Sequence, residues 1–173
     1  MKRRVVKLGG SLFELSSISE LLARWLDSNS DMQNILIVGG GRVADLVREN
    51  SEALSNEKSH EIACGAMRFT AKLISHIVNQ CDPCKDLTEL NGVLEPNIVF
   101  DSYDWILAQP NVPASWDFTS DSIAARLAAS IDADELVLIK SRMGDIDEPG
   151  FVDACFAEES KSVKSIRVCT LSE

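Results

Sequence analysis

The chain has 173 residues, of which 45% are hydrophobic and 25% charged, and its formal net charge is −10. This length and composition predict one globular domain over residues 1–173, large enough to need no disulfide or metal for stability. The charge argues against nucleic-acid binding, which depends on clustered Lys and Arg. No apolar run approaches the roughly 20 residues of a membrane span, and the N-terminus lacks a signal-peptide core, so we expect a cytoplasmic protein that does not bind membranes.

Strand and helix signals alternate from the start of the chain. Residues 4–8 form a short β-branched run closed by two glycines, as expected of a buried parallel strand. Ser17 and Glu20 have the spacing of a capping box and predict the start of an amphipathic helix. Residues 34–38 predict a second buried strand, and a helix over 42–50 follows three glycines.

The same alternation continues to the C-terminus. A long helix over 59–80 is predicted by one apolar face, formed by Ile62, Ala66, Phe69, Leu73 and Ile77. The further predicted elements are a strand at 98–100, a brief helix within 101–108, a helix at 120–130, a strand at 135–139, a helix within 151–159 and a strand at 166–170. Strands alternating with helices imply a parallel sheet covered on both faces, whose ligands gather at the carboxyl ends of the strands.

Five cysteines in a chain expected to be cytoplasmic do not predict a disulfide framework. Cys81 and Cys84 have a CxxC spacing and, with His76 nearby, they are a candidate metal or redox pair. No second CxxC completes a four-ligand zinc site, so we interpret them as loop thiols and assign no metal-binding residue.

Two of the predicted strands end in glycines. Lys7 stands two residues before Gly9-Gly10, and Gly39-Gly40-Gly41 follows the second strand. Glycines let the backbone approach a phosphate closely, and a helix that begins after Gly41 adds a positive dipole end. The alternatives are ordinary turn glycines and a strand-end lysine that reaches solvent. Neither loop matches the P-loop or the dinucleotide fingerprint, so the spacing indicates a phosphate site without naming the enzyme.

Four segments together resemble the amino acid kinase superfamily in order and spacing. They are VVKLGGSL at 5–12, ILIVGGGR at 35–42, TSDSIA at 119–124 and ELVLIKSRMG at 135–144, and the resemblance covers residues 4–147. That superfamily includes acetylglutamate, glutamate, aspartate, uridylate and isopentenyl phosphate kinases. The resemblance implies a three-layer α-β-α sandwich with a mainly parallel sheet, ATP and Mg²⁺ as cofactors, and a homo-oligomer.

The resemblance also implies roles for individual residues. Lys7 is expected to bridge the transferring phosphoryl group, and Asp121 to hold the catalytic lysine charged and oriented. Lys140 is the third expected catalytic residue, and it lies where relatives contact the nucleotide. The residues expected to bind ATP phosphates are Lys7, Gly9, Gly10, Ser11, Lys140, Ser141 and Gly144. The alternatives are a helix-start acid for Asp121 and a solvated strand-end lysine for Lys140.

Residues 39–48 and 112–121 are similar to the small kinases of methanofuran biosynthesis, which convert aminomethyl-furanmethanol phosphate to its diphosphate. The acceptor is then itself a phosphate monoester. The residues expected to bind it are Gly39, Gly40, Gly41, Arg42, Arg68, Asp117 and Thr119, with Asp117 meeting the substrate ammonium. His60 and His76 are interpreted as helix-surface residues.

The sequence departs from the family pattern in one respect. Larger members carry a second catalytic lysine in a later glycine-rich segment, and none is evident before Glu173. Lys140, Lys161 or Lys164 is expected to substitute, or turnover is weak. Two alternatives to a phosphate-acceptor kinase therefore stay open: an amino-acid carboxylate kinase and a nucleotide-binding protein without turnover.

Overall fold

A single sheet of five parallel strands is the centre of the computed structural model, which describes residues 2–80 and 82–171. The strand order is β3-β2-β1-β4-β5. The strands are β1 (Arg3–Leu8), β2 (Gln33–Val38), β3 (Asn97–Val99), β4 (Glu135–Lys140) and β5 (Ile166–Thr170). The α-helices are α1 (Ile18–Ser28), α2 (Gly41–Glu49), α3 (Asn56–Val78), α4 (Leu87–Gly92), α5 (Tyr103–Leu107), α6 (Ser120–Ser130) and α7 (Phe156–Glu159).

Helices cover both faces of the sheet, as the continuous hydrophobic runs in its central strands require. Alternate side chains divide between the faces: Val5 and Leu138 pack with α6, whereas Val6 and Leu8 pack with α1. Because side chains two residues apart lie on one face, Lys7 follows Val5 to the α6 face. Lys140 follows Leu138 to the same face, at the carboxyl end of the neighbouring strand.

The apolar face predicted for the long helix is not its buried face. Ile62, Phe69, Leu73 and Ile77, the apolar stripe of α3, are 39–63% exposed. Ala66 alone among the five predicted positions is buried, and it shares the inner face with Cys64, Met67, Thr70, Ala71 and Ile74. The inner face carries smaller residues because α3 passes close to the glycines after β2: the Thr70 hydroxyl donates to the Gly39 carbonyl at 3.0 Å.

Several predicted boundaries and caps also differ. Ser17 is the N-cap of α1 but its side chain makes no capping hydrogen bond, whereas Ser55 accepts one from the backbone of Lys58 at the start of α3. The predicted helix within 151–159 shortens to α7, and α4 was not predicted. Asp86 starts α4 by accepting a hydrogen bond from the Glu89 backbone at 2.8 Å.

The proposed cysteine pair is only partly described. Cys84 is a buried free thiol, and burial raises its pKa to about 12. Cys81 lies outside the described residues, and His76 is exposed at the end of α3. Within residues 2–80 and 82–171, no helix has the length and apolar character needed to cross a membrane.

Candidate active site

Two lysines share one carboxylate at the carboxyl ends of β1 and β4. Lys7 Nζ lies 2.8 Å from Oδ1 of Asp121, and Lys140 Nζ lies 2.7 Å from Oδ2. Asp121 stands in the first turn of α6, which covers this face of the sheet. Lys7 and Asp121 are 4% and 5% exposed, so the group is nearly withdrawn from solvent. The structure thus brings together the three residues that the sequence assigned to catalysis.

The protonation states of this group follow from burial and mutual charge. Burial opposes ionisation of Asp121, but the two ammonium groups outweigh burial and hold the pKa of this carboxyl below its usual value. Burial, followed by repulsion from Lys7, lowers the pKa of Lys140, while Asp121 acts in the opposite direction. Lys140 therefore loses its proton at a lower pH than an ordinary lysine does.

A segment that sequence reasoning did not assign to the site holds both Lys140 and α6. The backbone carbonyl of Phe151 accepts a hydrogen bond from Lys140 Nζ at 2.9 Å. Two residues later, Asp153 accepts hydrogen bonds from the backbone N–H groups of Thr119 and Ser122 and from both of their hydroxyls. A carboxylate at the N-terminal end of a helix satisfies otherwise unpaired N–H groups and complements the helix dipole. Asp153 therefore fixes the turn that carries Asp121.

Asp153 and Phe151 were missed because the contacts join distant parts of the chain. Thr119 is the N-cap residue of α6, and its side chain makes no capping hydrogen bond to its own helix. The capping group comes from a position 34 residues later. No spacing rule connects positions so far apart, and the only local signal was the polar start of the helix.

The two glycine loops touch each other. A Cβ on Gly10 would lie 2.5 Å from the Gly41 backbone nitrogen, and one on Gly40 would lie 2.7 Å from Ala44 Cβ. Gly41 has a φ of +55°, a conformation that favours glycine. The close packing brings the start of α2 against the turn after β1, so the two loops form one backbone surface.

Not every backbone donor of these loops is free to meet a phosphate. The Gly9 N–H donates to the Ile139 carbonyl and the Gly39 N–H to the Leu8 carbonyl, both at 2.9 Å. The expected donation from Gly9 to ATP therefore does not fit this arrangement, in which Gly9 instead joins β1 to β4. Gly10 and Ser11 open a 3-10 turn, and their N–H groups precede its first internal hydrogen bond.

A cavity of about 230 Å³ lies between the glycine loops, the first half of α3 and the segment before α6. Gly10 and Ser11 reach one end of it, as do the predicted acceptor residues Gly39, Gly40, Gly41 and Thr119. Its wall also contains apolar side chains, which are Ala44, Ala63, Cys64, Met67, Phe118 and Ile123. The cavity suits a small molecule that carries both an anionic group and an apolar part.

Three of the predicted acceptor residues do not line this cavity. The Arg42 side chain is 82% exposed and lies 4.0 Å from Glu14. Arg68 pairs with Asp101 at 2.7 Å and with Asp104 on another side of α3. Asp117 is exposed and lies outside the lining. The charged residues of the lining are Asp45 and Arg48 instead.

The other residues predicted to bind ATP or to replace the second lysine do not contact Asp121, apart from Lys140. Ser141 is exposed, and Gly144 packs against the Phe151 ring, where a Cβ would overlap the ring. Lys161 pairs with Glu158, and Lys164 pairs with Asp132 at 2.9 Å. Of the three candidates for a second lysine, Lys140 is the one that contacts Asp121.

The cavity also contains side chains that sequence reasoning treated as surface or left unassigned. His60 is half-buried in the lining rather than on the helix surface, and burial lowers its pKa, so the ring is neutral near pH 7. Its Nε2 lies 3.7 Å from Cys64 Sγ. The Arg48 guanidinium lies 4.5 Å from the centre of the Trp116 ring. The His60–Cys64 contact has the i,i+4 spacing of a helix, whereas the Arg48–Trp116 contact joins distant parts of the chain and does not follow from residue spacing.

A parallel α/β sheet that gathers two lysines, an aspartate and paired glycine loops at its carboxyl end defines a phosphotransferase site of the kind found in small-molecule kinases. The model of the amino acid kinase family matches residues 2–144, so the chain belongs to this family and is a kinase.

Relatives agree with this assignment. The chain is 29% identical over 157 residues to [5-(aminomethyl)furan-3-yl]methyl phosphate kinase from Methanocaldococcus jannaschii, covering 84% of this chain and 69% of that protein. The structure of uridylate kinase from Archaeoglobus fulgidus matches with a TM-score of 0.72 at 20% identity, over 99% of this chain and 92% of that one. UMP kinase from Ureaplasma parvum matches with a TM-score of 0.74 at 12% identity, over 99% and 91%. The solved structures confirm the predicted amino acid kinase-like fold.

Proposed function

We propose that this kinase transfers the γ-phosphoryl group of ATP to the phosphate of a small phosphate monoester, such as aminomethyl-furanmethanol phosphate. The observation that carries the proposal is the pair of lysines on one buried carboxylate beside a cavity of small-molecule size. The relative from M. jannaschii is named as a kinase of such a phosphate, and it supports the choice of acceptor.

The proposed reaction needs positioning and charge neutralisation rather than a catalytic base. A phosphate monoester is largely dianionic at neutral pH, so one of its oxygens attacks the γ-phosphorus without first losing a proton. The bond between the γ-phosphorus and the bridging oxygen breaks, and ADP leaves with that oxygen. Lys7 and Lys140 offset the negative charge at the transferring group, while N–H groups of Gly10 and Ser11 donate to phosphate oxygens.

Asp121 serves this reaction by holding the lysines. Each of the two ammonium groups is attracted to the carboxylate that they share, and this attraction offsets the repulsion between them. Their positions are therefore set before the substrates arrive. Preorganised charges of this kind lower the barrier because they do not have to reorient during the reaction.

We expect Mg²⁺ to enter with ATP. Among residues 2–80 and 82–171, no three His, Cys, Asp or Glu side chains converge as a metal site. Mg²⁺ does not require such a group, because it keeps several waters and commonly uses only one or two carboxylates, while substrate phosphates supply other ligands. When bound, it would neutralise phosphate charge beside the lysines.

The proposal is tested by ADP release from Mg-ATP with aminomethyl-furanmethanol phosphate, other phosphate monoesters and a set of amino acids. We expect turnover with the furan phosphate and its loss in Lys7→Ala. Turnover with an amino acid, together with a hydroxamate on addition of hydroxylamine, would replace the proposal by a carboxylate kinase. Thermal stabilisation by ATP without release of ADP in the presence of any acceptor would replace it by a nucleotide-binding protein.

We also propose that copies of this chain associate through the apolar stripe of α3. Four apolar side chains exposed along one helix form a surface that monomeric proteins seldom leave open to water. Sedimentation velocity tests this proposal. Phe69→Glu combined with Leu73→Glu should lower the sedimenting mass to that of one chain, whereas Leu94→Glu, at an 82% exposed position off the helix, should not. A wild-type protein that sediments as a single chain at micromolar concentration would contradict the proposal.

A further inference from the structure

The cavity has two ends that differ in chemistry, and α2 runs between them. Gly41, the first residue of α2, lies at the glycine end, and Arg48 lines the cavity from the last turn of the same helix. Seven residues of α-helix span about 10 Å, at roughly 1.5 Å per residue. An acceptor whose phosphate lies at the glycine end therefore extends its remaining atoms toward Arg48.

Trp116 lines the cavity at the same end as Arg48. The planar guanidinium lies 4.5 Å from the centre of the indole ring, so the ring face is already occupied by a planar group. The contact joins α2 to the segment before α6. Among the described residues, the ion pair that Arg48 forms is with Asp45, at 4.0 Å. The Arg48 side chain is 56% exposed. A guanidinium held so loosely is easily displaced from the ring.

The other side chains around this end do not compete with stacking. Phe118 lies beside the ring of His60, with 6.4 Å between the ring centres, and both residues line the cavity. Because burial keeps His60 neutral near pH 7, neither of these two side chains adds a charge to those of Asp45 and Arg48. The aromatic face of an indole favours a flat ring over a bulky saturated group.

We propose that Trp116 is the stacking platform for a planar ring of the acceptor, and that the ring takes the place of the Arg48 guanidinium. This inference rests on the proposed function, because it assumes that the cavity binds the acceptor. It narrows the acceptor to a phosphate monoester whose ring is planar and unsaturated. Saturated rings of the same size lack a flat face and stack poorly on an indole.

Binding without ATP separates this inference from turnover. The probes are furfuryl phosphate, which has a planar furan ring, and tetrahydrofurfuryl phosphate, its saturated counterpart. Tryptophan fluorescence reports binding, and calorimetry gives the dissociation constant independently. The variants are Trp116→Phe, which keeps a flat ring, and Trp116→Ala, which removes it. Trp25→Phe is the matched control, because Trp25 also faces an arginine, Arg167, but lies on α1 away from the cavity.

We expect furfuryl phosphate to quench the fluorescence of the wild type and of Trp25→Phe, but not of Trp116→Phe. Trp116→Ala should weaken its binding about tenfold, in line with stacking energies of aromatic side chains, and Trp116→Phe should recover most of the loss. The saturated probe should bind the wild type about tenfold more weakly than the planar probe, because it lacks the same stacking energy. Its dissociation constant should not change in Trp116→Ala.

Equal binding of the two probes, or a dissociation constant unchanged in Trp116→Ala, would overturn the inference. So would a failure of furfuryl phosphate to bind the wild type at millimolar concentration. Thermal unfolding of each variant shows that the loss does not come from misfolding. Trp116-dependent binding without ADP release would support the inference while the proposed phosphoryl transfer fails, so the two failures are distinguishable.

Discussion

Lys7 and Lys140 lie near the carboxyl ends of adjacent parallel strands, on the same face of the sheet, and their ammonium groups contact different oxygens of a single carboxylate. Two positive charges at such a site would repel each other strongly without that carboxylate. The arrangement places positive charge at the carboxyl ends of the strands, where parallel α/β sheets bind their ligands. Asp121 is therefore the counter-charge of both lysines.

Asp121→Asn should impair both stability and turnover. The change keeps the shape of the side chain but leaves two buried ammonium groups without a counter-charge, which costs about 3–5 kcal/mol when a buried pair loses one partner. We expect the free energy of unfolding in urea to fall by that order and kcat to fall about a hundredfold or more, as when preorganised charge is lost. Asp27→Asn, on the exposed face of α1, is the control and should change neither. A variant with wild-type kcat would contradict the role given to Asp121.

The alkaline limb of the kcat–pH profile should report Lys140. Burial and Lys7 lower its pKa, so the ammonium loses its proton as the pH rises through a value below the ordinary one for lysine. Activity should fall over that range because the neutral amine no longer stabilises the transferring group. Lys140→Arg keeps its charge at every accessible pH and should move the limb upward, although kcat near pH 7 falls because the guanidinium has a different shape.

Lys161→Arg is the matched control for this profile, since Lys161 forms an exposed pair with Glu158. Its profile should coincide with that of the wild type. If Lys140→Arg and the wild type share one alkaline limb, another group sets it.

Asp153 should act as a positioning residue for α6. Asp153→Asn leaves hydrogen-bond donors of Thr119 and Ser122 without their carboxylate, which costs about 1–3 kcal/mol per buried unpaired group. The turn that carries Asp121 then loosens, and we expect kcat to fall about tenfold because small misplacements in an active site are costly. The KM for ATP should change less than kcat. Asp145→Asn changes a loop carboxylate that accepts a hydrogen bond from the Asp147 backbone N–H, and it should leave kcat unchanged.

Gly10→Ala should disturb the contact between the glycine loops. The added Cβ would lie 2.5 Å from the Gly41 nitrogen, a distance at which backbone has to move. We expect a loss of about 1–3 kcal/mol in unfolding free energy, as for other overpacked sites, and weaker binding of both substrates in steady-state kinetics. In Gly92→Ala the new methyl group meets nothing within 4 Å, so stability and KM should stay near wild-type values. Equal behaviour of the two variants would show that the loops tolerate separation.

The strands were predicted from local signals, whereas the roles of Lys7, Asp121 and Lys140 were implied by the family resemblance. Alternation along β1 and β4 places Lys7 and Lys140 on one face, and Gly9-Gly10 marks where β1 ends. The face of α3 was wrong because periodicity reports apolar positions and not the distance between a helix and its neighbour. Close approach to Gly39 and Gly40 requires small inward residues, which leaves Phe69 outside.

The acceptor side of the site was less predictable for a different reason. Arg42 directly follows the glycines and is the nearest cation in sequence, yet its side chain leaves the helix on the solvent side. Arg48 lies almost two turns further on and reaches the cavity. Which of two arginines on one helix faces a cavity depends on what packs across from the helix, here the segment that contains Trp116.

The hydrogen bond from Lys140 to the Phe151 carbonyl closes residues 141–150, which follow β4, into a loop. This loop begins at the residue after Lys140 and ends at the residue before Phe151, so both of its ends lie beside the Lys140 side chain. Exposed positions in this loop can vary without moving Lys140, provided that Gly144 keeps its contact with the Phe151 ring. Residues 141–150 are therefore a suitable place to insert a foreign segment without disturbing Lys140.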